Sequence, residues 1–202
     1  VHGTTLATNA IIEGKGAKTL LLTTNGFRDA LETRDELRYD LHDLFIQFPT
    51  PLVPRRRRIG INERVLFNGK IEKALEQQDI YKALKNQQVM EVESVAICFL
   101  HSYANSENEI HARELIEKNL PNIPISISSE VLPEIGEYAR TSTTVANAYV
   151  QPLINRYLEA LNCELCEQGL SGAFFVMGSN AGTLSLDIAK KFPVRLVESG
   201  PA

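Results

Sequence analysis

The chain has 202 residues, of which 44% are hydrophobic and 23% charged, and its formal charge is −4. That is ordinary globular usage, which excludes a disordered, collagen-like or coiled-coil chain. No apolar run approaches the ~18 residues of a membrane helix, and the acidic balance gives no support to a nucleic-acid partner.

In chain order, two-residue and 3.6-residue patterns alternate, which predicts an α/β fold. Thr4 and Thr5 precede a short helix through Asn9 and Ile12 that Gly14 and Gly16 stop. Residues 17–23 (AKTLLLT) predict a buried strand, and Asn25-Gly26 turns into a short helix over 27–32. Residues 33–58 read as an irregular surface excursion with Pro49, Pro51 and Pro54, then Arg55 to Arg58. Residues 61–67 alternate up to Asn68-Gly69, a strong hairpin signal, with Ile71 opening the partner strand. A helix is expected over 75–86 and a buried strand over 92–100 (VESVAICFL). Ser106 to Glu109 fits a capping box for a helix that Pro121 ends. Strand 123–127 follows, then a long helix from Thr141 that Pro152 should kink and Gly169 closes. Strand 173–177, a Gly-containing loop, a helix near 185–191 and a last strand over 194–197 complete the chain.

Several motifs carry competing readings. Residues 13–19 (EGKGAKT) look like a phosphate loop but lack its spacing, and a helix precedes where a strand is needed. Cys163 and Cys166 form a CxxC without a second ligand pair, so buried small side chains are the expectation and no metal site is assigned. Three cysteines, with Cys98, are an odd number and point to a reducing, cytoplasmic setting. Arg55 to Arg58 is expected in a solvated loop or in ion pairs to a neighbouring domain. His101 follows the best strand, where α/β sheets gather ligand groups; an acid–base role and a purely local hydrogen bond both fit. Met177 to Gly182 is a small-residue loop between strand and helix, suited to an anion. Ser199 to Ala202 is a second such turn, and no Gly-x-Ser-x-Gly elbow exists. The chain opens on Val1, without a signal-like stretch, and stops directly after an apolar run; an excised fragment is expected.

Taken in order, residues 2–10 (HGTTLATNA), 21–29 (LLTTNGFRD), 100–105 (LHSYAN), 128–135 (SSEVLPEI), 140–150 (RTSTTVANAYV) with Pro152, and 199–202 (SGPA) resemble the hydantoinase A / 5-oxoprolinase family, which includes acetone carboxylase β-type subunits. The resemblance implies part of an actin-like ATPase lobe, of the sugar-kinase and heat-shock-chaperone type. Residues 1–32 and 121–202 would be its core and 33–120 an inserted α+β subdomain. It implies ATP with Mg, a small cyclic amide substrate whose lactam oxygen is phosphorylated before the ring opens, and a hydantoinase B-like partner. A ketone carboxylase subunit and a non-catalytic scaffold are the alternatives. Phosphoryl transfer rests on positioning and electrostatics, which suits hydroxyls and amides without a nucleophilic triad. His2, Thr4, Thr5 and Asn9 are expected to line the cleft. Ser179, Asn180 and Gly182 would lie near phosphate or substrate, and Ser199 and Gly200 near the hinge. The family's two Asp-Gly-Gly-Thr-like loops are not in this chain, and Ala181 stands where the family tends to carry glycine.

Overall fold

The computed structural model describes residues 1–35, 42–43, 45–85, 91–169, 172–180 and 182–197. Its centre is a parallel sheet in the order β2-β1-β5-β6, from β1 (Thr19–Thr24), β2 (Arg58–Ile61), β5 (Ser94–Cys98) and β6 (Ile125–Ile127). Every residue of β1 and of β5 is buried. Parallel strands covered on both faces read as continuous rather than alternating runs, as these two do.

Side-chain alternation divides the sheet between two helical layers. Leu20, Leu22, Val95, Ile97 and Ile127 face α3 (Gln77–Leu84) and α4 (Glu107–Asn119), through Ile80, Ala83, Ala112, Leu115 and Ile116. Leu21, Ala96 and Cys98 face α2 (Ala30–Thr33) and α6 (Glu137–Glu167), through Leu31, Val145 and Ala148. A second core forms where the later half of α6 (Val150, Ile154, Leu158) meets α1 (Leu6–Ile12), β7 (Phe175–Met177) and α7 (Leu186–Lys191). The helix α6 has 31 residues, runs uninterrupted through Pro152, and serves both cores.

Three expectations need correction. The stretch 61–67 is not one strand: Ile61 ends β2, while β3 (Arg64–Val65) pairs antiparallel with β4 (Ile71–Lys73) around the Asn68-Gly69 turn. Residues 194–197 are not a strand. Pro193 opens a 3-10 turn over Pro193–Leu196, suiting its fixed φ, and the Asn147 side-chain oxygen accepts the Val194 N–H at 3.1 Å. The capping box does not form. Asn105 Oδ1 takes the Glu107 N–H at 2.9 Å, while Glu109 turns inward. The sheet draws on both of the ranges expected as core and insert. The strands β2 and β5 come from within 33–120, β1 and β6 from outside it, and hydrogen bonding binds all four together. Two further elements are α5 (Ser128–Val131) and β8 (Thr183–Ser185), the antiparallel partner of β7; both are too short to show a period in the sequence.

Candidate functional site

Two places gather polar side chains. The first is the small second sheet. His2 joins β7 in parallel: its N–H donates to Phe175 O at 2.9 Å, and the Met177 N–H donates to His2 O at 2.8 Å. Because the pairing is parallel, Thr4 and Thr5 leave at the same end as the 178–182 loop. His2 Nε2 sits 2.7 Å from the Tyr157 hydroxyl, and its ring lies against Tyr157 and Phe174. Thr4 is buried, and its hydroxyl accepts the Leu6 N–H at 3.2 Å. Thr5 and Asn9 are joined at 3.4 Å on the outer side of α1, Asn9 Nδ2 donating to Thr5 Oγ1; both are exposed. The fold thus brings His2, Thr4, Thr5 and Asn9 to the end that carries Ser179, Asn180 and Gly182. Ser199 and Gly200 lie outside the described residues.

The 178–182 loop is closed on itself. The Gly178 N–H donates to Gly182 O (2.7 Å), the Ser179 N–H to Arg195 O (2.8 Å) and the Gly182 N–H to Asn180 Oδ1 (3.2 Å). The Ser179 hydroxyl also donates to Arg195 O, at 3.0 Å. Thr5, Asn9, Ser179 and Asn180 are all exposed at this end.

The second gathering is at the carboxyl ends of β1 and β5, where α/β sheets place ligands. Glu109 is fully buried and accepts the Phe99 N–H (2.9 Å), the Ser129 N–H (2.9 Å) and the Ser128 hydroxyl (2.6 Å). Arg140, 1% exposed, donates to Phe99 O at 2.8 Å. The Phe99 peptide is therefore gripped by an anion on its N–H and a cation on its carbonyl. Beyond it His101 has φ 54°, a left-handed conformation held by this bracing, and its Nδ1 lies 3.0 Å from the Tyr103 hydroxyl. Arg140 and Tyr157 lie about 25 Å apart along α6, so His101 does not join the His2 group. Burial pushes the Cys98 thiol up, which removes it as a nucleophile.

Sequence reasoning missed Glu63, 3% exposed, which the Thr24 hydroxyl and Asn108 Nδ2 bind. Burial pushes its carboxyl above the ordinary range, against those two hydrogen bonds. The folded state therefore holds the proton more tightly than the unfolded chain. The resulting penalty is absent below the unfolded value of 4.5, grows as pH rises through the window above it, and is complete above the folded pKa. Glu63→Gln is expected to gain stability relative to wild type between pH 4 and pH 7, read from urea midpoints. An equal difference at both pH values would contradict this.

The remaining motifs resolve simply. Arg55 pairs with Asp29 at 2.8 Å; Arg58 is buried, pairs with Glu32 at 2.8 Å and donates to Val53 O. The basic run thus turns partly inward. Cys163 and Cys166 are exposed, not buried, because they lie beyond Leu158, the last buried residue of α6. Gly14, at φ 66°, ends α1, and β1 follows, so residues 13–19 form no phosphate loop. A cavity of 690 Å³ lies at the far end of α1 from Thr5, beside Ile11 to Gly14.

The family profile of the hydantoinase/oxoprolinase N-terminal region matches residues 1–120, and that of hydantoinase/oxoprolinase matches residues 140–202. The chain belongs to the hydantoinase/oxoprolinase family. An uncharacterized protein of Methanocaldococcus jannaschii is 40% identical over 100% of this chain and 30% of its own length. Caprolactamase subunit alpha of Pseudomonas jessenii is 35% identical over 100% of the chain and 29% of its own length. The crystal structure of that organism's ATP-dependent caprolactamase matches with a TM-score of 0.92, covering 100% of this chain and 29% of its own. A nucleotide-free acetone carboxylase structure matches at 0.86 with 27% identity, over 99% of this chain and 29% of its own. The chain spans about three-tenths of the length of these relatives.

A hydantoinase/oxoprolinase chain raises the question of ATP. In the loop expected to meet phosphate, the amides of Gly178, Ser179 and Gly182 are bonded within the protein. Among the described residues no group of three His, Cys, Asp or Glu side chains could hold a metal ion. No described helix is long and apolar enough to cross a membrane.

Proposed function

We propose that the intact protein is a cytoplasmic ATP-dependent amidohydrolase that opens a lactam, and that this chain forms part of its actin-like ATPase lobe. The observation that carries the reading is the likeness to ATP-dependent caprolactamase, which extends over the whole chain at 35% identity and a TM-score of 0.92. The net reaction is lactam, ATP and two waters to an amino acid, ADP and phosphate. His2, with its Tyr157 partner, and Thr5 and Asn9 face the ring of the cyclic amide, with Thr4 supporting the first turn of α1. Ser179, Asn180 and Gly182 shape the adjoining wall, through the Asn180 side chain rather than through loop amides. Phosphate and Mg are held by other groups, and a hydantoinase B-like subunit is the partner.

The test is ADP release by the intact protein, with and without that partner, over caprolactam, 5-oxoproline and hydantoin, against acetone and acetophenone with bicarbonate. Lactam-dependent release is expected. His2→Ala and Thr5→Ala should each lower kcat/KM roughly a hundredfold, the scale of removing one hydrogen-bonding group at a reacting centre. The acetone carboxylase likeness favours the second reading, a ketone carboxylase subunit. Release that needs a ketone and bicarbonate would replace the lactam reading with it. Wild-type kinetics in both variants would remove the residue assignments.

A further inference from the structure

The 690 Å³ cavity beside the carboxyl end of α1 falls within the roughly 300–1,000 Å³ of small-molecule sites. Its wall is more apolar than polar, with Leu31, Leu52, Val145 and Tyr149 among the lining residues. Leu31, Val145 and Tyr149 are themselves buried parts of the two cores, so the wall is rigid. Arg34 is the one cation among the lining residues, and it also lines the adjoining 330 Å³ cavity.

Arg34 is held there at a conformational cost. It caps α2 with φ 55° and ψ −146°, a region that suits glycine. Its Nη2 donates to Pro49 O at 2.6 Å, and its guanidinium lies 4.4 Å from the centre of the Phe48 ring. Among the described residues no carboxylate forms an ion pair with it. A guanidinium has five N–H donors in a planar fork that matches a carboxylate. The Pro49 carbonyl takes one edge and the Phe48 ring one face, so donors remain for a ligand.

We infer that this cavity binds a small molecule with an apolar body and a single carboxylate, the body against Leu31, Leu52, Val145 and Tyr149 and the carboxylate on Arg34. A phosphate is disfavoured, because no second cation lines the cavity and Glu13 stands at its rim. A neutral apolar molecule would leave the guanidinium unanswered. The site lies at the opposite end of α1 from Thr4 and Thr5, so it goes beyond the lactam reading and does not depend on it.

Titration calorimetry of octanoate into the intact protein tests this, with 1-octanol and inorganic phosphate as comparison probes. Octanoate is expected to bind in the submillimolar range, and 1-octanol and phosphate at least about tenfold more weakly, a factor set by the charge contact. Arg34→Gly removes the fork and relieves the backbone, so binding should fall by about tenfold or more while the thermal midpoint holds or rises. Ser142→Trp, on the half-buried rim, should block octanoate with Arg34 intact. No octanoate heat up to millimolar concentration overturns the proposal. So does 1-octanol or phosphate binding as tightly as octanoate, or wild-type affinity in either variant. Each outcome is independent of ADP release.

Discussion

Glu109→Ala is expected to destabilise the fold by about 3–5 kcal/mol, the range for removing one member of a buried charged network. Three donors lose their acceptor at once: the Phe99 and Ser129 N–H groups and the Ser128 hydroxyl. Each buried orphan costs roughly 1–3 kcal/mol. Arg140 keeps its bond to the Phe99 carbonyl and its Glu137 partner at 4.0 Å, so the loss falls on the Glu109 side. For a domain of this size the thermal midpoint should drop by roughly 2–4 °C per kcal/mol. Glu109→Gln keeps an acceptor without the charge and should fall between the two. Amide exchange should quicken first at residues 99–103, because the grip on Phe99 holds the left-handed His101. A loss under about 1 kcal/mol would mean that the network carries little of the stability.

The second large effect is steric. A Cβ on Gly16 would lie 2.1 Å from Tyr149 Cε1 and 2.2 Å from Cδ1, far inside contact distance. Tyr149 is 6% exposed within the second core, and its carbonyl accepts the Ala17 N–H at 2.8 Å, which fixes the two backbones together. Gly16→Ala is therefore expected to cost about 1–3 kcal/mol, as overpacking does. The decisive measurement is a double-mutant cycle by urea unfolding. In a Tyr149→Ala background the ring is gone, and adding the methyl should be nearly free. An equal cost in both backgrounds would show that the backbone, not the ring, rejects the side chain.

The elements that could be read from the sequence are those whose pattern is local. β1, β5, α3 and α6 announce themselves as apolar runs or as 3.6-residue stripes, and the Asn68-Gly69 hairpin by its turn. The pattern misleads where a distant partner decides. Ser106 to Glu109 has the spacing of a capping box, yet the end of β5 and the start of α5 offer Glu109 three donors and draw it inward. VRLV at 194–197 has strand composition, but Pro193 and the Asn147 side chain make it a 3-10 turn. Cys163 and Cys166 continue an apolar stripe, and only the extent of the packed layer shows that the stripe has run past its partner.

The candidate site divides in the same way. The segments that resemble the family named His2, Thr4, Thr5, Asn9 and the 178–182 loop, but residue order could not show that they meet. A parallel bridge between His2 and Val176, far apart in sequence, brings them together. The same folding bonds the amides of Gly178, Ser179 and Gly182 within the protein.

Composition excluded a membrane-spanning helix and a disordered chain, periodicity determined the α/β class, and the ordered motifs pointed to the family. All three are local properties, which the residues carry with them. The sharing of one sheet across residues 33–120, the burial of Glu63, Glu109 and Arg140, and the placing of Arg34 beside a cavity were decided by tertiary structure alone. A charged side chain is drawn inside or left in water by the donors and acceptors that other segments bring to it, and those exist only once the chain has folded.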